Sequence, residues 1–100
     1  MHARILDKLD LAVTAMAVGC APLHSRIADA YIAYLMDRRP DDLPTDIRHL
    51  FYELDAALHS KEHSAEEGVV HNSAKHMADT ECFQMAMNIV NLRDYLRSSE

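Results

Sequence analysis

One hundred residues with a formal charge of −6 and 49% hydrophobic side chains describe a small, acidic, core-forming chain. The charge argues against a phosphate-binding surface, which needs clustered Lys and Arg, and the apolar content argues against disorder. Two Gly and three Pro are too few for the turns of an all-β fold, whereas abundant Ala, Leu, Met and Glu favour helix.

The first helix is expected over residues 4–18. Ile5, Leu9, Ala12 and Met16 recur at four-three-four spacing with Leu6, Val13 and Ala17 beside them, which makes one helical face. Gly19 and Pro22 in "GCAP" then mark a helix end and a new start. Asp7, Lys8 and Asp10 interrupt the apolar beginning, so neither a signal peptide nor a membrane span is expected.

Helix two is expected over residues 23–38, where Ile27, Ala28, Tyr31, Ile32, Tyr34 and Leu35 cover about half the circumference. "RRPDDLP" ends it, because Pro40 disfavours helical geometry at Arg39. Helix three, residues 44–61, carries a narrow stripe of Ile47, Leu50, Phe51, Leu54, Ala57 and Leu58. Residues 62–78 are irregular, with sparse apolar positions and Gly68, and a short helix there is the alternative to a long plain loop. The last helix, residues 79–97, steps through Cys82, Met85, Ile89, Leu92 and Leu96, flanked by Phe83, Ala86 and Val90. The expectation is an all-α single domain: a small antiparallel four-helix bundle with room for a short extra helix between helices three and four.

The helical wheels hold more apolar surface than one small core needs. Helices two and four have wide apolar faces, and Leu11 and Val18 lie seven residues apart, off the main face of helix one. Leu11, Val18, Tyr31 and Tyr34 are therefore the expected interface residues of a homo-oligomer, a dimer first. Single exposed Leu and Val are also common on soluble proteins, so the seam alone is not specific.

"HSKEH", His59 to His63, fits His-x-x-Glu-His, an inverted zinc-protease pattern. On a continuing helix, Asp55, His59 and His63 share one flank, Glu62 stands where a general base belongs, and His71 or His76 could close a zinc shell. A helical His pair supplies only two ligands, and nothing else in the chain forces a third into place. Histidines at a solvated helix C-terminus account for the same residues through the macrodipole. Asp55, His59 and His63 remain the candidate metal ligands; the preferred reading has no cofactor.

Cys20, His24 and Ser25 lie close in sequence but lack a third catalytic group, and Cys20 and Cys82 show no paired spacing and read as reduced thiols. The functional expectation is a cytoplasmic helical interaction or regulatory module that self-associates and has no catalytic activity of its own. Its partner is its own copy or another protein, with neither nucleic acid nor membrane. The alternative is a metal-binding helical protein using His59 and His63.

Overall fold

Three- and four-residue apolar spacing builds five α-helices in the computed structural model, which describes residues 3–59 and 67–98. They are α1 (Ala3–Val18), α2 (Leu23–Ala30), α3 (Arg48–Leu58), α4 (Glu67–Lys75) and α5 (Asp79–Ser98). Among the described residues there is no strand, and the fold is all-α. No described helix is long and apolar enough to cross a membrane.

The stripes face one common core. Ile5, Leu9, Ala12 and Met16 of α1 meet Phe51, Leu54 and Leu58 of α3 and Cys82, Met85, Ile89, Leu92 and Leu96 of α5 in a single buried cluster. Helix α5 packs against α1, α2 and α3, which uses its wide apolar face within the chain. Phe83 departs from the sequence reading: placed beside that face, it is 63% exposed.

Two local features shape α2. At its start, the Arg26 guanidinium folds back over the end of α1, donating from Nε to the Ala21 carbonyl at 2.8 Å and from Nη1 to the Met16 carbonyl at 2.8 Å. The Met16 carbonyl is one left over at the C-terminus of α1, so the side chain acts as a cap, and Ala21 lies in the corner that follows. Gly19 makes room for it, since a Cβ there would stand 2.8 Å from Arg26 Cδ and 2.9 Å from Cγ. At its other end, α2 widens into a π-turn over Tyr31–Leu35, closed by the Met36 N–H on the Tyr31 carbonyl at 2.7 Å.

Between α2 and α3 the chain makes two 3₁₀ turns, Pro40–Asp42 and Thr45–Ile47. Regular α-helix begins at Arg48, and α3 ends at Leu58 with His59 as its cap at φ −121°, ψ 22°. The run 62–78, read from sequence as irregular, contains α4, the short helix allowed for there. Val70, Ser73 and Ala74 of α4 are buried, and the helix packs against α2 and α3. His71 Nε2 lies 3.4 Å from Asp29 Oδ1 across the α2–α4 contact.

Helices α3 and α5 run antiparallel. The Tyr95 hydroxyl donates to Asp46 Oδ2 at 2.9 Å, and further along Asn88 Nδ2 donates to the Leu50 carbonyl at 3.2 Å. Helix α1 is tied to α5 by Asp10, which pairs with Arg97 and lies 3.9 Å from Arg93. These exposed pairs add little individually.

Candidate interface and a tyrosine-centred polar cluster

The outer face of α1 carries Leu11 at 45% exposure and Val18 at 73%. Both lie opposite Leu9 and Ala12 on the wheel, so neither can reach the chain's own core. Ala15, half-buried, sits between them, and exposed Asp7 and Thr14 edge the strip. Tyr34 is half-buried and packs against the core cluster.

Tyr31 corrects the expected interface set. It is 2% exposed, enclosed in the chain's own core cluster with its ring against His59 at the end of α3. A residue enclosed by its own chain offers no surface to a second copy. The excess apolar face of α2 is thus largely spent within the fold, leaving α1 with the exposed pair.

The phenol of Tyr31 reaches α3 instead. Its hydroxyl donates to Asp55 Oδ1 at 2.5 Å and lies 3.1 Å from His59 Nε2. A phenol has one proton to donate, and it points at Asp55, so Nε2 is the donor in the second contact. The two rings meet edge to face with centroids 5.9 Å apart. Asp55 and His59 are one turn apart, and the His59 backbone N–H donates to the Asp55 carbonyl at 3.0 Å, which holds the pair together as the helix ends.

Burial, and then the hydrogen bond to Asp55, push the Tyr31 phenol far above its ordinary value, so it stays protonated and serves as a donor. Burial also pushes the Asp55 carboxyl above its ordinary 3.8, while the Tyr31 hydrogen bond and the neighbouring His59 pull it partway back. The folded chain therefore binds this proton more tightly than the unfolded chain does. The stability from that proton is complete below 3.8 and is lost as pH rises toward the raised value. Asp55→Asn is expected to flatten this fall, measured as urea midpoints stepped upward from acid pH. Equal slopes in both proteins would mean that another group sets the dependence.

Of the candidate metal ligands, Asp55 and His59 lie together at the end of α3. His63 lies outside the described residues. His71 turns to Asp29, and His76 Nδ1 is 2.8 Å from the Asn72 carbonyl. Among the described residues no group of three His, Cys, Asp or Glu side chains could hold one metal ion. Cys20 is exposed and Cys82 buried, each a free thiol.

One polar residue escaped the sequence reading. Asn88 is 0% exposed, although it lies on the core side of α5 between Met85 and Leu92. Besides the Leu50 carbonyl it contacts Glu53 Oε1 at 3.3 Å, and it accepts from Gln84 Nε2 at 2.9 Å. Its signal was available as an amide three residues after one stripe position and four before another. Comparison of the chain with protein-family models, curated proteins and solved structures yields no match.

Proposed function

We propose that the chain is a small cytoplasmic helical interaction module that self-associates through the outer face of α1 and performs no catalysis of its own. The observation that carries this reading is the exposure of Leu11 and Val18 on one side of a helix whose other side is wholly occupied by the core. A twofold contact would use each residue twice, and a chain this small gains stability from association. The strip is short and edged by polar residues, which fits a reversible dimer rather than an obligate one. Two free thiols, one exposed and one buried, accord with a reducing compartment. The charge of −6 favours protein over nucleic acid as partner.

The test is sedimentation equilibrium over a broad concentration range. Wild-type protein is expected to approach twice 11.3 kDa at high concentration. Leu11→Glu and Val18→Glu are expected to weaken association about tenfold or more, since each would place a carboxylate against its own copy. Their helical circular dichroism should remain wild-type, because both sites are exposed. Cys20, two residues past Val18, adds a second reading: mild oxidation should cross-link the wild type and spare the variants. A wild type that stays monomeric throughout would end the proposal.

A further inference from the structure

Glu53, Ala56 and Ala57 of α3 and Glu81 and Met85 of α5 line a groove of 340 Å³. On α3 it is lined by the methyl groups of positions 56 and 57, past the Asn88 contact to the Leu50 carbonyl. Ala57 and Met85 are buried and form an apolar floor, while Glu53 and Glu81 stand exposed, one on each helix. Exposed Asp79 adds a third acid in the first turn of α5.

Among the described residues no cation pairs with these acids. The ion pairs among the described residues engage Asp10, Asp29 and Asp94, and the Glu53 carboxylate meets only the neutral Asn88 amide. Their field is felt locally: burial first, then Asp79 and Glu81, push the Cys82 thiol upward. An apolar trough between carboxylates on two helices is complementary to a side chain with a long aliphatic stem and a cationic head. Lys and Arg lay their stems on apolar surface and keep the charge at its edge. The flexible Met85 thioether can adjust to what enters.

We infer that the α3–α5 groove docks a basic amphipathic segment of a partner protein, with an aliphatic stem over Ala57 and Met85 and its cation between Glu53 and Glu81. The volume suits one or two side chains, so recognition is by a short segment with Lys or Arg at helical spacing beside an apolar residue. The overall negative charge would speed the encounter, and the two rim acids would select the register. This surface lies on α3 and α5, away from Leu11 and Val18, and does not depend on self-association.

The experiment uses a fluorescent fourteen-residue helical peptide of Leu and Lys, titrated with the full chain at physiological salt and followed by anisotropy. Glu53→Gln with Glu81→Gln removes the rim charges, and Ala56→Trp fills the groove from an exposed position. Asp37→Asn with Asp41→Asn removes the same charge elsewhere. The expected result is binding weakened about tenfold by either groove variant and less than about twofold by the control pair. A Leu and Glu peptide should not bind. Repeating the titration on Leu11→Glu separates this result from the α1 interface. Absence of binding to wild type, equal losses in both charge pairs, or full binding to Ala56→Trp would each overturn the inference. So would loss of self-association in Ala56→Trp, which would assign the groove to a second copy.

Discussion

Tyr31→Ala is expected to lower the unfolding free energy by about 3–5 kcal/mol, in the range for deleting a large aromatic side chain from a core. Tyr31 is among the largest fully enclosed side chains, and it lies where the π-turn that follows α2 meets the end of α3. Removing it leaves a void and strips the hydrogen-bond partner from Asp55 and His59 together. Stability in a domain of this size is only about 5–15 kcal/mol, so the variant should be close to unfolding at moderate temperature. Tyr31→Phe separates the two contributions. It keeps the ring and removes one hydroxyl, leaving a part-buried carboxylate without its donor, at a cost of about 1–3 kcal/mol. Urea unfolding of the three proteins checks both values. If Tyr31→Phe matched wild type, the ring alone would join the helices and the polar cluster would contribute nothing.

Asn88→Asp should be as damaging, by a different route. The substitution barely changes volume, but it turns an amide donor toward the Leu50 carbonyl and the Glu53 carboxylate into an acceptor. A full charge in a position with no exposure would face another negative group across the helix contact. The expected loss near neutral pH is about 3–5 kcal/mol. Acid should restore much of it. Burial and the nearby glutamate would raise the new carboxyl above the ordinary range, so the folded form would take up a proton on acidification. Unfolding at neutral and acid pH distinguishes this from a packing defect, which would be equally severe at both. Stability indistinguishable from wild type at neutral pH would show that water or a rotated side chain satisfies the site.

The two substitutions sit on opposite sides of what periodicity can reveal. Ile5, Leu9, Ala12 and Met16, and likewise Met85, Ile89 and Leu92, were readable as core because burial on one helix face repeats at the helix period. Helix α4 was harder to read. Glu67 to Lys75 contains Gly68 and several polar residues, and its burial comes from packing on α2 and α3 rather than from a strong stripe of its own. Asp55 and His59 were expected on one helix flank, and they lie one turn apart where α3 ends. Their shared partner was not legible, since Tyr31 is 24 residues from Asp55 and a π-turn has no simple sequence pattern. Asn88 shows the converse difficulty: an amide reads as polar surface until two helices close around it.

The contrast between the two cysteines gives the chain an internal clock. Cys20 stands in the exposed corner after α1, while Cys82 is closed inside the first turns of α5. A thiol reagent can modify the first at any moment, but the second only when the amino-terminal part of α5 comes away from its neighbours. With excess reagent, the first modification supplies the intrinsic timescale and the delay before the second records how often that opening occurs. The sequence thus carries, without any added label, both the reference and the reporter for the motion of a helix that packs against α1, α2 and α3.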